Sequence, residues 1–253
     1  IVRTYWKLLK SYWNVGNYDV MVLGYPGQID VCIARLLTWW RRKPLALDIF
    51  MSIYLIASER GLTKRSPLTA SLICGVERLA CALPDLLILD TVDYVRWFQE
   101  TYGLREERFR LVPTGADDRA FQPVKTIKGK DDETFKVLYY GTFIPNHGVK
   151  YVINAAKILR DDPDIRFEFI GEGPTKAEAV CLVSEYELNN VKFEGWIEKQ
   201  DLTRRVAEAD VCLGAFGTTP QSLMTVQNKV YEGLAMAKPV IVGDSPAIRR
   251  LLC

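Results

Sequence analysis

Residues 135–173 read FKVLYYGTFIPNHGVKYVINAAKILRDDPDIRFEFIGEG. An apolar run, FKVLYYG (135–141), leads through a short loop into helical spacing, VKYVINAAKILRD, and then into a second apolar run, IRFEFIGEG (165–173). Short apolar runs separated by one helix of this length are neighbouring strands of a parallel sheet with the helix as crossover. The alternation continues to the C-terminus with helix PTKAEAVCLVSEYE, strand VKFEGW (191–196), helix KQDLTRRVAEA, strand DVCLGAFG (210–217), helix KVYEGLAMA and strand PVIVGD (239–244).

Working backwards, a second series of the same kind comes into view. YDVMVLGY (18–25), PLALDIF (44–50), DLLILDT (85–91) and RLVPTG (110–115) are its strands. IDVCIARLLTWW, LTASLICGVERLACAL (68–83) and DYVRWFQETYG (93–103) are its helices, the last stopped by Gly103. Between the series, DDRAFQPVKTIKGKDDET (117–134) is polar and aperiodic, including the charge run Asp131-Asp132-Glu133. The fold class is therefore α/β: two Rossmann-like domains with parallel sheets, residues 1–115 and 135–253, joined by a linker over 116–134. A chain of 253 residues has the length for two such cores.

Composition excludes several classes. Hydrophobic residues at 49% and charged residues at 25% argue against disorder, and a net charge of +2 argues against a dedicated nucleic-acid binder. Charge is uneven, however: residues 1–50 hold seven Lys/Arg against three Asp. The six cysteines form no CxxC and lie mostly in apolar runs, which suits buried thiols in a reducing compartment. IVRTYWKLLKSYW lacks the apolar core of a signal peptide, and no apolar run has the ~18–20 residues that span a bilayer. The chain has no initiator Met and stops inside an apparent helix, Ser245 to Cys253, so both domains read as truncated and the first as incomplete.

In open α/β sheets ligands bind beyond the carboxyl ends of the strands. In the second series those positions are GTFIPNHG (141–148), GEGP (171–174), GW (195–196) and GTTPQSLMTVQN (217–228). One glycine at a strand exit makes a tight turn; four in one series point to backbone passing close to a ligand.

These loops carry a resemblance. The order G-T-F-I-P-x-H-G, F-I-G-x-G-P, F-x-G-W-I, A-D-V and N-K-V-Y-E-x-L-A-M-x-K-P-V-I is similar to the C-terminal half of retaining glycosyltransferases of the GT-B fold, group 1 or family 4. Val112-Pro113-Thr114-Gly115-Ala116-Asp117, with Phe121 and Pro123, resembles the family's linker signature. The resemblance is specific from about Phe109 to Arg249 and diffuse before that.

It implies sugar transfer from a nucleoside-diphosphate sugar to an acceptor hydroxyl with retention, in glycan, cell-surface polysaccharide or glycolipid synthesis. Glu232 matches the second glutamate of the family's E-x7-E motif, which takes the ribose hydroxyls; a carboxylate can accept from two hydroxyls at once. Lys229 and the helix start, with Asn228 as candidate N-cap, would hold the diphosphate. Gly141, Thr142, His147, Gly148, Gly171, Gly173, Trp196, Met224 and Thr225 complete the implied donor site. Lys229 and Glu232 read otherwise as a solvated helix face, and His147, the only histidine, either donates to a phosphate or caps a helix.

The sequence departs from the pattern where Met224 occupies the place of the first glutamate, and where Thr142 and His147 stand at often basic positions. Those losses keep a non-catalytic nucleotide-sugar binder open as an alternative; a UDP-sugar 2-epimerase would want more histidines and acids. The acceptor would lie against Tyr25, Asp48 and Asp90 of the first domain. No metal and no cofactor are expected: the D-x-D at Asp162-Pro163-Asp164 falls at the amino end of its strand, away from the loops.

One more pattern concerns lipid. Ile1, Tyr5, Leu8, Leu9 and Tyr12 line one helical face, with Arg3, Lys7 and Lys10 towards the other side and Trp6 and Trp13 at the boundaries; WWRRK (39–43) repeats the combination. This is the pattern of a helix on an anionic membrane surface, or of a helix packed on a sheet with its cations outside. The expected location is cytoplasmic, peripheral at the inner membrane face.

Overall fold

The computed structural model describes residues 2–124 and 134–252. The chain divides into two compact units, Ile1–Val112 and Pro113–Cys253.

The first unit contains α1 (Val2–Trp13), β1 (Met21–Leu23), α2 (Val31–Arg41), β2 (Leu45–Asp48), α3 (Ile53–Glu59), α4 (Leu62–Arg65), α5 (Pro67–Ala82), β3 (Leu86–Leu89), α6 (Val92–Tyr102) and β4 (Phe109–Leu111). Its strands are parallel in the order β1-β2-β3-β4. Strand β2 is buried along Leu45, Ala46 and Leu47, which is why it reads as a continuous apolar run without alternation. Val31 and Ala34 of α2 and Ala80 of α5 share one core cluster with Leu45, so both helices cover the same face of the sheet. Helix α6 starts where the Thr91 side chain accepts from the Tyr94 N–H and stops at Gly103, in the left-handed region at φ 67°.

The second unit contains β5 (Phe135–Tyr140), α7 (Val149–Ile158), β6 (Ile165–Ile170), α8 (Lys176–Glu185), β7 (Val191–Glu194), α9 (Lys199–Glu208), β8 (Val211–Leu213), α10 (Pro220–Met224), α11 (Asn228–Ala235), β9 (Val240–Ile241) and α12 (Pro246–Leu252). All its strand pairs are parallel, in the order β7-β6-β5-β8-β9. Alternation along β5 sends Tyr139 into a cluster with Phe143, Ile153, Phe167 and Phe169 on one face, and Tyr140 into a cluster with Ile170, Val206 and Met236 on the other. Each such fully buried large side chain contributes about 1.5–3 kcal/mol.

Three differences from the sequence reading have local causes. Phe121 is buried in the second unit's core, and the Asp117 carboxylate meets Lys199 at 2.6 Å, so the start of the expected linker is part of that unit. Residues 125–133, with the charge run Asp131–Glu133, lie outside the described residues. Helix α10 occupies what reads as loop: Thr219 accepts from the Ser222 N–H as N-cap and Pro220 fills the first helical position. Third, Cys32 and Cys181 are exposed and Cys74 intermediate, leaving Cys81 and Cys212 as the buried thiols among the described residues.

Candidate functional site

In the order β7-β6-β5-β8-β9 the chain leaves β5 towards β6 and leaves β8 towards β9, so the β5 and β8 exits diverge and open a crevice between them. The loops of that edge rest directly on one another. A Cβ on Gly171 would stand 2.1 Å from the Gly141 carbonyl oxygen, and one on Gly217 would stand 2.0 Å from that of Asn146. Gly141 and Gly171 also take φ of +127° and +137°, which L side chains avoid. Gly171 and Gly217 are thus required by loop-on-loop contact, whereas what passes close to Gly141 is the Lys229 side chain. Hydrogen bonds tie the stack: Phe143 N–H to Glu172 O at 2.8 Å, Phe216 N–H to His147 O at 2.9 Å, and Ser222 Oγ to Asn146 O at 2.8 Å. The Asn146 amide donates to Gln221 Oε1 at 2.6 Å across the β5 and β8 exits. The result is a rigid platform.

Helix α11 delivers its first turn to this platform. Asn228 is its first helical residue, and Gln227 holds the cap position without a side-chain cap bond, so Asn228 is not the N-cap expected from sequence. Lys229 points inward. It is 5% exposed, and among the described residues its Nζ finds no hydrogen-bond acceptor. The ammonium stands 4.1 Å from the centroid of the Tyr139 ring and directly beneath Gly141, where a Cβ would be 3.2 Å away. Contact with a ring face is worth about 2 kcal/mol when desolvated, less than the several kcal/mol that burying an unpaired cation costs. Burial therefore lowers the Lys229 pKa to about 7, with Glu232 opposing the shift.

Glu232 lies one turn further along α11, partly buried. Burial raises its carboxyl above the usual range, while a hydrogen bond from Tyr140 and the charges of Lys229 and Lys199 draw it back. The Tyr140 hydroxyl also lies 3.2 Å from the Lys229 carbonyl, so the two acceptors compete for its single proton. His147 follows the Gly141 loop in the short turn before α7. Its Nδ1 is 2.7 Å from the Thr142 carbonyl and 3.0 Å from the Tyr139 hydroxyl. Burial, with Lys229 next, lowers its pKa to about 3, so the imidazole is neutral and its Nδ1–H positions the Gly141 loop.

The structure thus brings Gly141, Gly171, His147 and Lys229 together, with Glu232 beside them and Gly148 and Gly173 in the supporting loops. Thr142 is exposed above Gly141, Trp196 is 75% exposed at the β7 exit, and Met224 and Thr225 close α10, Thr225 Oγ1 donating to Gln221 O at 2.8 Å. The sequence reading missed Tyr139 and Tyr140, although consecutive tyrosines just before a strand-exit glycine must project to opposite sides of the sheet. The Asp162–Asp164 segment sits at the other edge: Phe135 N–H donates to Asp164 O at 2.6 Å, where β5 and β6 begin.

In the first unit Tyr25, Asp48 and Asp90 gather at the carboxyl edge of adjacent strands. The Tyr25 ring meets Phe50 edge-on, with centroids 5.6 Å apart. Burial raises the Asp48 carboxyl above its usual range. It lifts Asp90 to about 6, with Asp48 adding repulsion, and among the described residues the buried Asp90 Oδ1 has no hydrogen-bond partner.

Residues 134–252 match the sequence model of the family described as glycosyl transferases group 1. The match falls within the second unit, Pro113–Cys253, and covers just under half of the chain. Solved structures of such fold include sucrose-phosphate synthase from Thermosynechococcus elongatus, similar at TM-score 0.73 and 18% identity over 97% of this chain and 61% of that one. HepE from Anabaena, solved with UDP, aligns at TM-score 0.69 and 15% identity over 93% of this chain and 62% of its own. A glycosyltransferase from Rickettsia africae aligns at TM-score 0.64 and 13% identity, over 99% and 63%. At these identities the likeness establishes the GT-B fold, and the chain spans under two thirds of each of those proteins. No curated protein matches it in sequence.

Proposed function

We propose that the protein transfers a sugar from a nucleoside-diphosphate sugar to an acceptor hydroxyl with retention of configuration, in the synthesis of a glycan, cell-surface polysaccharide or glycolipid. The observation that carries this reading is Lys229, a buried ammonium beneath the Gly141 loop without an acceptor among the described residues. A diphosphate laid on that loop supplies the missing anion, and the start of a helix such as α11 favours an anion beside it. Glu232, one turn on, accepts the two ribose hydroxyls. HepE has been solved with UDP-glucose, which supports the same class of donor here.

The donor's C1–oxygen bond to the diphosphate breaks, the acceptor oxygen bonds to C1, and the acceptor proton leaves with the diphosphate. The leaving charge falls on Lys229, so its stabilisation grows as the bond breaks. Gly141, Thr142, Gly148, Gly171, Gly173, Trp196, Met224, Thr225 and Asn228 frame the donor, with His147 as a neutral positioning group. Tyr25, Asp48 and Asp90 take the acceptor hydroxyls. The reaction as proposed uses no metal and no cofactor, and the location proposed is cytoplasmic.

Met224 in place of a sugar-binding glutamate, and uncharged Thr142 and His147, favour a second reading: a binder that keeps the nucleotide site without transfer. Saturation-transfer NMR with UDP- and GDP-sugars, coupled to a donor-hydrolysis assay, separates the two. Binding with slow hydrolysis supports the transferase, binding alone supports the second reading, and no binding sinks both.

A further inference from the structure

Among the described residues, the helices covering the first unit's sheet carry exposed apolar side chains on their outer surfaces. On α2 the residues turned away from the core are Cys32, Ile33, Leu36, Trp39 and Trp40, with no charge among them. On α5, Leu68, Leu72, Val76 and Leu79 recur at helical spacing on the side opposite buried Ala70, Glu77 and Ala80. Leu36, Trp39, Trp40, Leu68, Leu72 and Leu79 each leave more than half of their surface in water, with Leu68 at 86%. Because α2 and α5 share one core cluster on the same face of the sheet, the two stripes lie on the same side of the unit. Helix α1 extends them: Trp13 meets Trp40 edge-on with centroids 4.5 Å apart, and Trp6 on the same flank of α1 is 71% exposed. Single exposed apolar residues are ordinary; stripes of them on one side of a domain mark an interaction surface.

The charges around it select the occupant. Lys7 and Lys10 flank the tryptophans of α1, Arg42 and Lys43 close α2, and Lys64 and Arg65 lead into α5. Residues 1–82 contain eleven Lys/Arg against five Asp/Glu, whereas residues 83–253 contain 22 against 26. Of those five acids, Glu77 is buried and Asp30 accepts the Tyr5 hydroxyl. A symmetric pairing of two copies through this face would press its basic rims together. An anionic bilayer meets the same rim with opposite charge, and its interface is where tryptophan rings settle.

We propose that the outer face of α1, α2 and α5 docks the protein on an anionic lipid bilayer, seating Trp6, Trp39, Trp40, Leu68 and Leu72 at the headgroup boundary. Among the described residues no helix is long and apolar enough to cross a membrane, so the attachment is interfacial and reversible. The proposal is independent of the donor site, which lies in the second unit.

The test is co-flotation of the whole chain with phosphatidylcholine vesicles, with and without phosphatidylglycerol. Binding is expected only with the anionic lipid. It should fall on the order of tenfold between about 0.1 and 1 M salt, as the screening length shrinks from about 10 to 3 Å. Tryptophan emission should shift to the blue and be quenched by brominated lipid. Lys64→Gln with Arg65→Gln should weaken partitioning on the order of tenfold, and Leu36→Gln with Leu72→Gln at least as much, while UDP affinity in solution stays unchanged. Binding that is absent, or equal on neutral and anionic vesicles, overturns the proposal. So does a dimer in lipid-free solution that the Leu36/Leu72 variant dissociates.

Discussion

Lys229 and Tyr139 form a cation–ring pair buried beneath Gly141, 4.1 Å from ammonium nitrogen to ring centroid, with no hydrogen-bond acceptor for the cation among the described residues. Its electrostatics give a pH signature. With a Lys229 pKa of about 7 in the free protein, an arriving diphosphate must restore the proton above that pH. Nucleotide affinity should be flat below about pH 7 and fall up to tenfold per pH unit above it. Calorimetry at pH 8 in buffers of differing ionisation enthalpy should register proton uptake. His147, neutral down to about pH 3, adds no transition between pH 5 and 7.

The same pair sets a stability effect of opposite sense to the binding effect. A lysine whose folded pKa is depressed binds fewer protons folded than unfolded between about 7 and its ordinary value of 10.5. Stability should therefore rise with pH across that window, and the cost of Lys229 is full below about pH 7. Lys229→Met should stabilise the protein by roughly 1–4 kcal/mol at pH 7, with the gain shrinking towards pH 10. Thermal unfolding of both proteins at several pH values checks this. A gain that grows with pH would contradict it.

Glu77 anchors the first unit. Its carboxylate accepts from Ser52 Oγ at 2.6 Å, Ile53 N–H at 2.7 Å, Tyr54 N–H at 3.2 Å and the Tyr102 hydroxyl at 2.6 Å, all at the start of α3 or the end of α6. Glu77→Ala should cost about 3–5 kcal/mol by stranding those donors. Chemical denaturation is the measurement, and a loss below 1 kcal/mol would show that water replaces the carboxylate.

Glycine at position 171 has no substitute. Gly171→Ala would set a methyl 2.1 Å from the Gly141 carbonyl oxygen at φ +137°, and should both destabilise the second unit by about 2–4 kcal/mol and weaken nucleotide binding. Gly16→Ala, which meets nothing within 4 Å, should change the melting temperature little.

How far the sequence carries can be judged residue by residue. FKVLYY and IRFEFI announce β5 and β6 because both faces of a central parallel strand are covered, so nearly every position is apolar. Strand β9 reads as PVIVGD; its regular ladder covers Val240–Ile241, Gly243 N–H still donates to Ala215 O at 2.8 Å, and Gly214 lies against Val242, where a Cβ would be 2.5 Å from its side chain. That contact is tertiary and leaves no local mark. Phe121 sits in a polar stretch whose neighbours hide its burial. At the site, Glu232 and Lys229 are legible from motif, whereas the burial of Lys229 and the neutrality of His147 depend on Tyr139 and on loops 75 residues apart, such as Asn146 and Gln221. The strand-exit glycines were legible as a group, but not their partners, which are other loops and, at Gly141, the Lys229 side chain.

Metal dependence offers a further check on the geometry. Donor hydrolysis or transfer should survive EDTA, and Asp162→Asn with Asp164→Asn should leave it within error, because that segment lies at the opening edge of β5 and β6. Activity lost with EDTA and restored by manganese or magnesium would place the chemistry elsewhere.

The most direct measurement is calorimetric titration of UDP and GDP into the wild type and the Glu232→Ala variant, with folding checked by circular dichroism. The account predicts that one of these nucleotides binds the wild type, and that Glu232→Ala weakens it by roughly 1–3 kcal/mol through loss of the ribose hydrogen bonds, in a protein that remains folded. Equal affinity in the folded variant, or no binding of either nucleotide to the wild type, would contradict it.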